Sequence, residues 1–198
     1  MSAPPATLAT LPNILGLARI AATPIVIVLA LAGWPGAGLG AALLFGLAAA
    51  TDYLDGRIAR ARGLVSPLGV FLDLAADKVL VAGALVALVE VDLLPTWIVA
   101  TILIREFVVQ AVRQLAAAED VVIAARSLGK AKTALTLLGI FVLLLARDAL
   151  TGGPLAGTDP GPMLAVAGAW LMLAATLITV LSGYLYLRAA WPILVGRG

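Results

Sequence analysis

Six apolar stretches, each close to the length that crosses the hydrocarbon of a bilayer, leave this chain little choice of solvent. They run at about 14–32, 37–61, 67–90, 95–117, 129–147 and 163–187, and together they take up nearly all of the 198 residues. Apolar side chains are 63% of the sequence and charged ones 12%, about half the charge of a soluble domain. Mean hydropathy is +1.11. The expected fold is therefore an all-α integral membrane protein with six transmembrane helices, forming one domain over residues 1–198. Gly33-Trp34-Pro35-Gly36 separates the first two spans, Pro95 opens the fourth, and the Gly/Pro-rich stretch from Thr151 to Pro162 divides the last two. Residues 1–12 read equally as a short helix on the membrane surface or as a tail, and they lack the Lys or Arg that opens a secretory signal.

The distribution of charge predicts the orientation. Arg19, Arg57, Arg60, Arg62, Arg113, Arg126, Lys130, Lys132, Arg188 and Arg197 fall on one side, whereas the opposite loops carry only Arg147 beside Glu90, Asp92, Asp148 and Asp159. Cytoplasmic loops hold the excess of Lys and Arg, so both termini are expected in the cytoplasm. Trp34, Trp97, Trp170 and Trp191 fit interfacial anchors.

Cysteine and histidine are absent, which excludes thiolate and imidazole metal sites, disulfides and His-dependent triads. A bound metal would have to take oxygen ligands. The formal charge of +2 gives no case for nucleic acid.

The residues that resist a purely structural reading lie at the junction of the second and third spans. Asp52 and Asp55 share one helical face, Gly56, Ala59 and Arg60 follow, and Gly69, Asp73 and Asp77 rise at successive four-residue steps on the next span. Two helices joined by a short basic turn can aim all four carboxylates at one point. Each Asp at the centre of a spanning helix costs about 2.5–3.5 kcal/mol, so four sum to roughly 10 kcal/mol before their mutual repulsion is counted. A location near the cytoplasmic face lowers that cost without removing it. Divalent Mg²⁺ or Mn²⁺ ions resolve it, since hard cations take carboxylate oxygens and keep positions open for water or phosphate. Surface ion pairing with Arg57, Arg60 and Arg62 is the plainer alternative, but it gives no reason for glycines beside the carboxylates, where a missing side chain admits a bulky ligand.

The pattern D-x2-D-G-x2-A-R-x8-G-x3-D-x3-D, complete from Asp52 to Asp77, resembles the signature of the CDP-alcohol phosphotransferase family. The resemblance implies a six-helix membrane enzyme, usually a homodimer, in which an alcohol attacks the diphosphate of a CDP-activated lipid and CMP leaves. It also implies that Asp52, Asp55, Asp73 and Asp77 surround two metal ions, that Gly56, Ala59, Arg60 and Gly69 line the nucleotide site, and that Asp77 is the general base.

Further segments bear on the acceptor. Arg105-Glu106-Phe107, Arg113 and Gly129-Lys130-Ala131-Lys132-Thr133 supply cations suited to an anionic alcohol. Arg105 and Arg113 are eight positions apart and share a helical face, and Lys130 and Lys132 stand where a helix opens. Together with Asn13, Leu15 and Arg19, these segments resemble the phosphatidylglycerophosphate synthase branch of that family. The resemblance implies CDP-diacylglycerol and sn-glycerol 3-phosphate as substrates, with Arg105, Arg113, Lys130 and Lys132 at the acceptor phosphate. Arg113, Lys130 and Lys132 also fit ordinary contacts with lipid headgroups. Gly16 and Leu74-Ala75 depart from that branch, where Thr and a Pro-containing pair are common, so inositol phosphate and phosphatidylglycerol stay open as acceptors. A divalent cation transporter is the competing class of reading, although clustering on two consecutive spans and the absence of visible repeats weigh against it.

Overall fold

The computed structural model describes the backbone of residues 11–62, 67–119, 127–158 and 160–195; within these, the side chains of residues 11, 12, 52–62, 67, 68, 70, 73, 127, 158, 193 and 194 lie outside the described set. Within it are six α-helices: α1 (Leu11–Leu31), α2 (Ala37–Arg62), α3 (Pro67–Glu90), α4 (Thr96–Ala118), α5 (Ser127–Leu150) and α6 (Gly161–Leu194). A short 3₁₀ turn, Ala156–Thr158, precedes α6. Each apolar stretch has become one helix, with ends displaced by a few residues. Among the described residues, α1, α5 and α6 contain stretches long and apolar enough to cross a membrane. Helices α3 and α4 are of similar length and carry charge within their spans, Asp73, Asp77, Lys78 and Glu90 on α3 and Arg105, Glu106 and Arg113 on α4.

The helices pack in the spatial order α3, α1, α2, α5, α6, α4, and α3 also touches α4 and α5, so the bundle closes on itself. Phe45, Leu85, Leu88, Ile102, Ile140, Leu143, Leu144 and Met172 form its centre. Outward-facing positions are equally apolar, including Leu47, Val86, Ile104, Phe107 and Leu177, as expected of a bundle that meets lipid. All four tryptophans are exposed. Helices α5 and α6 approach through glycine: a Cβ on Gly139 would stand 2.7 Å from Met172 Sδ, and one on Gly168 would stand 2.6 Å from Leu143 Cδ2.

One end of the bundle is pinned by charge. Sequence reading placed Arg147 and Asp148 in a loop, but α5 continues through both. Arg147 Nε donates to Ala30 O at the C-terminal end of α1 (3.2 Å), where helix carbonyls lack partners. Asp148, fully buried, accepts from Leu39 N–H in the first turn of α2 (3.1 Å) and from Leu155 N–H (3.2 Å). Successive residues thus satisfy the negative end of one helix and the positive end of the next.

Candidate active site

The aspartate pattern falls on adjoining ends of consecutive helices. Asp52 and Asp55 lie on the last turns of α2, together with Gly56, Ala59 and Arg60, while Gly69, Asp73 and Asp77 occupy successive turns at the start of α3. Asp77 is the one signature aspartate whose side chain is described, and it is partly exposed. Gly16 on α1 packs against this region: a Cβ there would come within 3.2 Å of Leu72 Cβ, beside Asp73. Asn13 and Arg19 are buried on α1 and partnered.

Beside Asp77, helices α3, α4 and α5 enclose a cavity of about 110 Å³. Asp77, Lys78, Glu106, Gln110, Lys132 and Thr133 give it a polar side, and Leu74, Val81, Ile102, Phe107 and Leu137 contribute an apolar one. Glu106 is the hub of the polar side. Its carboxylate accepts from Lys78 on α3, from Lys132 on α5 and from Arg105 Nη1 on its own helix, the last at 2.8 Å. Lys78 Nζ in turn stands 3.6 Å from Asp77 Oδ2. Arg105 Nη2 donates to Ser182 Oγ on α6 (3.2 Å), and that hydroxyl donates to Thr179 O (3.1 Å). A Cβ on Gly183 would meet Arg105 Cγ at 3.0 Å, so a glycine keeps α6 close to the guanidinium.

Nearly the whole chain matches one family. The profile of the CDP-alcohol phosphatidyltransferases fits residues 9–183. The chain belongs to that family. Among relatives of this phosphatidyltransferase, the protein of Bacillus subtilis (strain 168) named CDP-diacylglycerol–glycerol-3-phosphate 3-phosphatidyltransferase is 39% identical over 197 residues, spanning 93% of this chain and 96% of its own. A protein of the same name from Rickettsia bellii (strain RML369-C) is 36% identical, spanning 90% and 94%. The cardiolipin synthase (CMP-forming) of Oryza sativa subsp. japonica is 35% identical across 97% of this chain, which covers 60% of that longer protein.

For this phosphatidyltransferase the structure brings two of the four expected acceptor cations together: Arg105 and Lys132 meet on Glu106. Arg113 is exposed, with its guanidinium 5.9 Å from the centre of the Tyr186 ring, and Lys130 is exposed on the first turn of α5. Arg105 and Arg113 do share a face, since both reach residues of α6. Lys78, Glu106 and Ser182 were not anticipated as site residues. The insertion cost applied to the aspartates applies equally to Glu106, in the middle of an apolar stretch, and could have marked it as a carboxylate in need of partners. Helical spacing offered no way to find Ser182, because α6 is remote from Arg105 in sequence.

Proposed function

We propose that this enzyme transfers the phosphatidyl group of CDP-diacylglycerol to sn-glycerol 3-phosphate, releasing CMP and forming phosphatidylglycerophosphate. The observation that carries the reading is a small cavity whose wall holds Asp77, Lys78 and Lys132, with Arg105 joined to both lysines through Glu106. The acceptor's phosphate meets the cations and its hydroxyl lies toward Asp77. The names of the Bacillus and Rickettsia relatives support this acceptor.

Asp52, Asp55, Asp73 and Asp77 would hold two divalent ions, Mg²⁺ or Mn²⁺. An all-carboxylate donor set on adjoining helix ends suits hard cations, and family membership supports a metal-dependent reaction. When bound, such ions neutralise charge that grows on the diphosphate and the departing CMP. Gly56, Ala59 and Gly69 leave room for the nucleotide, and Arg60 offers a fork of donors to a phosphate oxygen. Asp77 accepts the proton of the acceptor hydroxyl as that oxygen bonds to the β-phosphorus and the bond to CMP breaks. Arg113 and Lys130, both exposed, attract the anionic acceptor toward the site. The wider reading has all six helices crossing the membrane as one domain, both termini and the aspartates on the cytoplasmic side, and two copies forming a homodimer.

The relation to rice cardiolipin synthase, with the apolar wall of the cavity, favours phosphatidylglycerol as the second reading for the acceptor. Purified protein supplied with CDP-diacylglycerol and Mg²⁺ is to be offered glycerol 3-phosphate, inositol phosphate or phosphatidylglycerol in turn, with CMP release and lipid product measured. Glycerol 3-phosphate is expected to support turnover, and chelation of divalent ions to abolish it. Turnover with another alcohol alone would overturn the acceptor; full turnover in excess chelator would overturn the metal site.

A further inference from the structure

Glu106 has no part in the chemistry just described, yet it is the most heavily engaged side chain of the cavity. Lys78, Arg105 and Lys132 come from three helices and all bond to its carboxylate, two of them to the same oxygen. Neither Glu106 nor Lys132 has much access to water, their side chains being 15% and 9% exposed. Cations this close repel one another, and a single carboxylate at their centre fixes where each ammonium and guanidinium points. Lys78 also reaches Asp77, so the carboxylate that arranges the cations sets their distance from the residue that takes the proton.

The charge of the cluster is equally informative. Three cations face Glu106 and, through Lys78, Asp77, which leaves one positive charge among the described side chains of the cluster. A cluster carrying surplus positive charge inside an apolar bundle is completed by an anion from outside. Phosphate competes well for Lys and Arg because it offers several strong acceptor oxygens.

We propose that Glu106 is a positioning residue of the acceptor site: it holds Lys78, Arg105 and Lys132 in register with Asp77, so that together they meet the acceptor's phosphate. This rests on the reading of Asp77 and the cations given above, and adds to it a residue.

The experiment is a steady-state comparison of the intact wild-type protein with Glu106→Gln, which keeps the shape and loses the charge, and Glu106→Asp, which keeps the charge and withdraws it by one methylene. Glu106→Gln should raise KM for glycerol 3-phosphate at least tenfold while KM for CDP-diacylglycerol stays within twofold, and Glu106→Asp should fall between it and wild type. An equal rise in both KM values, or a fall in kcat with the acceptor KM unchanged, would mean that Glu106 merely holds the fold and would overturn the proposal. If Glu106→Gln cannot be recovered folded, Glu106→Asp decides by the same split. The wild-type measurement separates the two levels. Should wild type use a different phosphorylated alcohol, the acceptor assignment fails while the same split, read on that alcohol, tests Glu106. Should it accept only an unphosphorylated alcohol, the proposal for Glu106 is itself overturned.

Discussion

Replacing Asp148 by Ala should destabilise the protein severely while sparing its chemistry. The Asp148 carboxylate is 0% exposed and accepts two backbone amides, Leu39 N–H at 3.1 Å and Leu155 N–H at 3.2 Å. A hydrogen bond to a charged group contributes about 1.5–3 kcal/mol net, so alanine forfeits about 3–6 kcal/mol and leaves two amides without their acceptor. Against a total stability of about 5–15 kcal/mol, that is a large fraction. For a chain of this size each kcal/mol moves the melting temperature by about 2–4 °C, which gives a fall on the order of 10 °C. Asp148→Asn keeps one acceptor oxygen and should lose roughly half as much. The assay is thermal unfolding of detergent-solubilised protein, paired with specific activity well below the transition. Activity per folded molecule should persist, because Asp148 caps the N-terminal turn of α2 whereas Asp52 and Asp55 lie at the other end of that helix. A melting temperature for Asp148→Ala within about 2 °C of wild type would refute the capping argument.

Two further outcomes are expected. Asp77→Asn should slow CMP release by about 100-fold or more, the usual range for loss of a general base, with a smaller loss in equilibrium binding of CDP-diacylglycerol; equal losses would reduce Asp77 to a ligand. Gly38→Ala should lower the melting temperature in the same unfolding assay, because its Cβ would stand 2.3 Å from Asp148 N and 2.7 Å from Asp148 Cα. Backbone atoms cannot rotate away, so α2 and α5 must part, and overpacking of this kind costs about 1–3 kcal/mol; an unchanged melt would contradict the contact.

Apolar runs made the helices legible, and where their ends moved the reasons are local. Helix α1 already includes residues 11–13, ahead of the expected start at 14. Helix α5 runs past Arg147 and Asp148 until Gly152, whose φ of +76° suits glycine and ends it. Helix α6 continues beyond Arg188 to Leu194 because a polar residue marks the edge of hydrocarbon, not the end of a hydrogen-bonded helix. The aspartate pattern was legible for a different reason: its residues lie close enough in sequence for helical geometry to relate them. Glu106 was visible as a residue but not as a hub, since its lysine partners are 28 and 26 positions away and are brought to it by three-helix packing that no local spacing encodes.

The two clusters of buried charge in this bundle are neutralised in different ways, and the difference separates structure from function. Arg147 and Asp148 are answered by backbone groups at helix ends, whose partial charges are fixed by the fold, so nothing further is required there. Glu106 is answered by side chains: three cations face it and, at Lys78, Asp77, and one positive charge is left without a complement among the described residues of that cluster. A bundle that already bears the cost of charge in apolar surroundings gains nothing in stability from extra cations beside one another. Their retention is explained when an anion arrives to complete them, and under the function proposed above that anion is the phosphate that carries the attacking alcohol.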